Sequence, residues 1–200
     1  RRRSDSASTS RAGPPSRQWL AWGTASSKVL QHCGERRTWT MLVLMTRDAY
    51  RPGKAHAATV TKGQGLWELV LTREVPCVPT RLWDALTQPS QLREWAPFDA
   101  DRDLGMVGPV ELSTVGTPRP QVSRSTVRTA TAPRELVYTW NDQQVGWTLE
   151  PQEATTPLTR LTLTHSIDQR FVAMGAAGWH LCLDVLAHFV DEKPIGRIVG

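Results

Sequence analysis

From residue 66 onward the chain alternates between apolar and polar positions. In LWELVLTREV (66–75), Trp67, Leu69, Leu71 and Val75 fall on one face, and Glu68, Thr72 and Glu74 on the other. A period of two with one apolar face predicts a half-buried strand, and Pro76 ends it. The period then changes. In VPTRLWDALT, Val78, Leu82, Ala85 and Leu86 make a helical stripe. Pro79 suits the first turn, where a missing N–H costs little. A second short helix is expected over residues 90–95, after Pro89. Residues 97–108, with Asp99, Asp101 and Asp103, read as a loop. Strands are expected over residues 110–115, 121–131, 136–141, 145–150 and 159–167. The turns between them are marked by Thr117-Pro118, Ala132-Pro133, Asn141-Asp142 and Thr156-Pro157. Consecutive strands with short connections predict an antiparallel meander. In the last strand Thr159, Thr162 and Thr164 alternate with Leu161, Leu163 and His165.

Residues 170–192 contain no proline and read as one long helix. At about 100° per residue, an apolar arc runs from Phe171, Val172 and Met174 through Trp179, Leu181 and Leu183 to Val185, Leu186, Phe189 and Val190. Arg170, His180, Asp184, His188 and Asp191 fall opposite and are expected on a solvated face. The middle of the arc holds only Gly175, Gly178 and Cys182. Glycine inside a helix costs about 1 kcal/mol relative to alanine. Small residues here therefore imply either a bulky partner reaching across or open space beneath the helix. The expected class is α+β, with an antiparallel sheet followed by a long C-terminal helix.

Charge divides the chain. Of 200 residues, 24 are Lys or Arg and 19 are Asp or Glu. Residues 1–65 hold 12 of the basic and 3 of the acidic residues, a net of +9, which leaves residues 66–200 at −4. The domain is therefore expected over residues 66–200, and residues 1–65 as a basic, disordered extension. An acidic domain lacks the basic surface that specific nucleic-acid binding needs. The chain opens on Arg1, and Met41 or Met45 is the expected natural start. Cys33, Cys77 and Cys182 match no metal or redox spacing and are expected as free thiols in the cytoplasm. No apolar run reaches the roughly 18 residues of a membrane span, so no span is expected.

Four segments, in order, resemble the heat-shock-protein-90 ATPase activator branch of the START-like (SRPBCC, helix-grip) superfamily. VPTRLWDALTQPSQLREW is similar to its first helix pair, with Trp83, Ala85, Leu86 and Trp95. PRELVYTWN is similar to a strand carrying Pro133, Leu136, Tyr138 and Trp140. TRLTLTHSI is similar to its last strand. GAAGWHLCLDVLAHFV is similar to its C-terminal helix, through Gly178, Trp179, Leu183 and Leu186. The resemblance covers residues 66–194. Two departures stand out. Gly105 and Gly108 only approximate a paired-glycine loop, and the chain stops at IGRIVG where relatives continue in helix, so a C-terminal truncation is expected.

The resemblance implies a curved antiparallel sheet wrapped around the long C-terminal helix, with a pocket between them for a small hydrophobic or amphipathic molecule. Its implied lining is Trp95, Trp140, Trp147, His165, Gly175, Gly178, Trp179 and Cys182, with aromatic contact area and His165 as polar anchor. It also implies noncatalytic ligand binding, with no cofactor. Two alternatives accompany it: an enzyme of the cyclase or hydrolase type, and an adaptor that stimulates the ATPase of a chaperone partner. For acid–base work His165 and Glu111 are the buried candidates. His180, Asp184 and His188 have helical metal spacing but sit on the polar face. Asp99, Asp101 and Asp103 resemble a calcium loop without its glycine and distal glutamate. No nucleophile elbow, phosphate loop or dinucleotide fingerprint is present.

Overall fold

Alternation along the chain builds one antiparallel sheet. The computed structural model of the protein describes residues 50–53, 56–63 and 65–198. Its strands are β1 (Ala58–Lys62), β2 (Trp67–Val75), β3 (Phe98–Ala100), β4 (Gly108–Thr114), β5 (Gln121–Thr131), β6 (Glu135–Trp140), β7 (Gln143–Pro151) and β8 (Thr159–Ile167). The spatial order is β1-β2-β8-β7-β6-β5-β4-β3. Two short helices, α1 (Pro79–Thr87) and α2 (Pro89–Trp95), follow β2. The long helix α3 (Val172–Val190) follows β8 through a single 3-10 turn at Gln169–Phe171. The α+β helix-grip class expected from the sequence is the class observed.

Register fixes which side chains meet α3. Leu69, His165, Val145 and Tyr138 lie in one cross-strand row, and Leu71, Leu163, Trp147 and Leu136 in the next. All eight are buried on the inner face. Asn141 and Asp142 form the two-residue turn between β6 and β7, at φ 51° and 62°. Asn and Asp tolerate this left-handed geometry, which a tight hairpin demands. The turn brings Trp140 and Gln143 opposite one another at the open end of the sheet.

Helix α3 is packed unevenly. Its buried residues are Trp179, Leu183, Val185, Leu186 and Val190, all in its C-terminal portion. Before Trp179, Phe171 and Met174 are exposed. The solid core lies beneath the later turns, with Leu82, Leu86, Trp95 and Trp147.

Three expectations change. The sheet begins before residue 66: Ala58–Lys62 pairs with β2 from Ala58↔Leu71 to Lys62↔Trp67, and Tyr50 is buried in the core. Of the disordered extension expected over residues 1–65, residues 1–49 lie outside the described residues. The loop expected over residues 97–108 contains β3, which pairs with β4. Finally, residues Gln169–Val190 are long and apolar enough to cross a bilayer by length and composition, with mean hydropathy 1.3. Here Trp179, Leu183 and Leu186 of that stretch belong to the domain core.

Candidate functional site

Beneath the first half of α3 lies a cavity of about 670 Å³. The two central glycines explain it. A Cβ on Gly178 would meet nothing within 4 Å, so the helix leaves open space there. A Cβ on Gly175 would lie 2.5 Å from Cδ1 of Ile167, so there the helix and sheet are in close approach. Both alternatives implied by the small-residue stripe occur, one turn apart.

Of the eight residues expected at the pocket, six line it: Trp140, His165, Gly175, Gly178, Trp179 and Cys182. Trp95 and Trp147 do not. They form the layer behind, edge to face at 5.8 Å, and Trp147 meets Trp179 at 5.6 Å. Their N–H groups are satisfied in the core: Trp95 Nε1 donates to Ala85 O at 2.9 Å, and Trp147 Nε1 to Tyr138 Oη at 3.1 Å. The wall also contains Ile167, Phe171, Met174, Leu181 and Ile198, with Asn141 and Gln143 from the hairpin. Phe171 and Met174 were legible as helix residues, and their exposure follows from the open space below. Ile198 had no signal in the sequence. It is brought in by Arg197, which donates to Asp99 Oδ1 at 2.6 Å and to the carbonyls of Leu92 and Phe98.

His165 is the polar centre of the wall. Trp179 Nε1 donates to its Nδ1 at 3.0 Å. An indole N–H can only donate, so Nδ1 is the acceptor and the proton of the neutral ring sits on Nε2. That Nε2–H is buried and has no hydrogen-bond partner, and neither has Trp140 Nε1. Trp140 stacks on His165 at 6.2 Å with an interplanar angle of 26°. Burial lowers the His165 pKa to about 4, since low dielectric disfavours imidazolium. Burial likewise pushes the Cys182 thiol up to about 12, the Arg197 charge opposing it only in part. Cys182 is therefore a protonated thiol at neutral pH.

Among the described residues no acid–base pair forms around His165. Glu111 is exposed on β4, between the inward-facing Val110 and Leu112, contrary to its expected burial. The helix polar face also differs from expectation. His180 and Asp184 are half-buried rather than solvated. Tyr50 Oη donates to Asp184 Oδ2 at 3.0 Å, and the Gly53 amide to the same oxygen at 3.2 Å. Arg73 faces inward from β2, is 7% exposed, and donates from Nη2 to His180 Nδ1 at 2.6 Å. His188 packs edge-on against Tyr50. Among the described residues no three His, Cys, Asp or Glu side chains are grouped as a metal site. The three loop aspartates serve backbone and Arg197: Asp101 accepts from the Glu111 amide, Asp103 from the Gly105 amide, and Asp99 pairs with Arg197.

The sequence profile of the family described as "Activator of Hsp90 ATPase homolog 1-like protein" matches residues 76–191, more than half the chain. The chain belongs to this family. The matched span runs from the end of β2 through α3 and so contains nearly all of the cavity wall. Structures of the same fold include EF2215 from Enterococcus faecalis, a conserved protein of unknown function. It is 18% identical with a TM-score of 0.55, over 66% of this chain and 76% of that one. Protein MLL2253 from Mesorhizobium loti is 24% identical with a TM-score of 0.54, over 63% of this chain and 98% of that one. DynU16, titled a putative protein in the dynemicin biosynthetic locus, is 22% identical with a TM-score of 0.55, over 64% of this chain and 49% of that one. At these identities the likeness to this Activator of Hsp90 ATPase homolog 1-like chain is one of fold. A search of curated proteins by sequence finds no match.

Proposed function

We propose that this domain binds a small apolar or amphipathic molecule between α3 and the sheet, and does so without catalysing a reaction. The observation that carries this reading is the cavity of about 670 Å³ under Gly178. Its size falls in the range of small-molecule pockets, roughly 300–1,000 Å³, and its wall is largely aliphatic and aromatic, as such pockets are. Against catalysis stands the chemistry of the wall. Its titratable side chains are His165 and Cys182, one held neutral and the other held as a thiol by burial. A nucleophile needs a nearby base, and a base needs an orienting partner. His165 Nδ1 is occupied by an indole N–H rather than facing a carboxylate.

The test is titration with the neutral fluorophore N-phenyl-1-naphthylamine. Saturable emission from the native protein is expected, and its loss in Gly178→Leu, whose side chain would grow into the open space. A Leu also improves helix propensity over Gly, so the variant should fold. No saturable signal from the native protein, or equal binding by Gly178→Leu, would overturn the reading.

A further inference from the structure

The cavity joins an apolar interior to a rim of carboxamides, and the two together select a class of occupant. We propose that it takes an uncharged amphipathic molecule, with its apolar body beneath Gly178 and a neutral hydrogen-bonding end group at Gln121, Asn141 and Gln143. This rests on the binding reading above and deepens it. The first support is charge. Among the described residues no Lys, Arg, Asp or Glu lines the cavity. Arg197, beside the lining Ile198, lies near enough to act on the Cys182 thiol. Its guanidinium, however, is paired with Asp99 at 2.6 Å and also donates to the carbonyls of Leu92 and Phe98. An ionised end group taken from water into such a wall loses its hydration without gaining a free counter-charge. That disfavours carboxylates and ammonium ions alike.

The second support is where the accessible polar groups lie. Trp179 Nε1 is spent on His165 Nδ1, while His165 Nε2 and Trp140 Nε1 are closed off from the cavity by burial. These rings therefore offer an occupant carbon surface. Apart from the Cys182 thiol, the other polar side chains of the wall are the three carboxamides. The sheet gathers them at one end. Asn141 is in the turn between β6 and β7, Gln143 opens β7 opposite Trp140, and Gln121 opens β5. The Asn141 backbone N–H donates to Ser123 Oγ at 3.1 Å, which ties the turn to the start of β5. Gln121 and Asn141 are exposed and Gln143 is half-buried. Among the described residues none of the three carboxamides is taken by a protein partner. On the helix side the rim is apolar, with Phe171 and Met174 exposed. A carboxamide both donates and accepts and carries no charge. It satisfies a hydroxyl, amide or ester end group and gives an ion no counter-charge.

Four probes of nearly equal shape test this at pH 7.5: 2-naphthalenemethanol, 2-ethylnaphthalene, 2-naphthoate and 2-naphthylmethylammonium. Affinities are read on the full chain by calorimetry and by displacement of N-phenyl-1-naphthylamine. The alcohol is expected to bind about tenfold or more tightly than either ion. Gln143→Leu and Gln121→Leu each remove one carboxamide from the rim. Each is expected to weaken alcohol binding about two- to tenfold, while 2-ethylnaphthalene is held as tightly or more tightly. A thermal melt of each variant reports its folding, and substitutions on two separate strands keep the test open if one variant fails to fold. An ion that binds as tightly as the alcohol overturns the proposal. So does an alcohol-to-hydrocarbon affinity ratio that neither variant lowers. Both results leave the binding reading intact, whereas absence of binding by all four probes overturns both.

Discussion

The two glycines of α3 allow one prediction to be worked closely. Replacing either with alanine gains the same intrinsic helix propensity, about 1 kcal/mol. Their surroundings differ. At Gly178 the new methyl meets nothing within 4 Å, so the whole gain should appear as stability. At Gly175 it would sit 2.5 Å from Cδ1 of Ile167. Ile167 is buried, so its side chain must leave its rotamer, or α3 must lift by a fraction of an ångström. An off-rotamer torsion costs about 0.5–1.5 kcal/mol, which offsets the propensity gain. Gly178→Ala is therefore expected to be more stable by about 1 kcal/mol, and Gly175→Ala to be unchanged or slightly less stable. For a domain of this size 1 kcal/mol corresponds to a Tm shift of about 4 °C. Thermal denaturation followed by far-UV circular dichroism resolves this, with urea midpoints as a check. Equal stabilisation by both substitutions would refute the close approach at Ile167. Destabilisation by Gly178→Ala would refute the open space beneath α3.

Three further outcomes follow from the same packing. His165 has a folded pKa near 4 against an ordinary 6.5. Between these values only the unfolded chain takes up the proton, so its contribution is complete above pH 6.5 and falls away toward pH 4, by up to about 3 kcal/mol; denaturation midpoints across that range should show the slope, and His165→Phe should flatten it. Tyr138→Phe leaves the Trp147 N–H without its acceptor in the core, a loss of about 1–3 kcal/mol, which urea unfolding should record as a lower midpoint at unchanged slope. Asp184→Ala removes the acceptor of Tyr50 and Gly53 and the nearest carboxylate to the Arg73–His180 pair. A stability loss of about 2 kcal/mol is expected, with faster hydrogen exchange at the Gly53 amide; unchanged stability and exchange would show that the segment is held by other contacts.

The sequence was most informative where a local rule decided the outcome. Period-two alternation put Leu69, Leu71, Leu161 and Leu163 inward, and Asn141-Asp142 marked its hairpin turn. The same alternation already placed Glu111 outward, between Val110 and Leu112. Its expected burial came from seeking an acid–base pair rather than from the pattern. Arg73 was not legible, because its side-chain partner is His180, a residue 107 positions away. Strand β1 escaped notice because an edge strand with five exposed residues needs no apolar face. The tryptophans divide by sheet row, not by composition. Trp147 lies level with Leu71 and Leu163 above solid core, while Trp140 sits at the hairpin end above the cavity. A linear pattern names the residue type and the face, but the row depends on register and on how far α3 reaches along the sheet.

The unequal packing of α3 also bears on how this chain can change over generations. Leu183, Leu186 and Val190 are constrained by a filled interior, where a lost methylene is felt as cavity and a gained one as strain. Met174, Gly178 and Leu181 border a space instead. Substitutions there can reshape that space at little risk to folding. One helix thus carries a segment with little room for a change of shape and a segment with room to spare, which meet near Trp179.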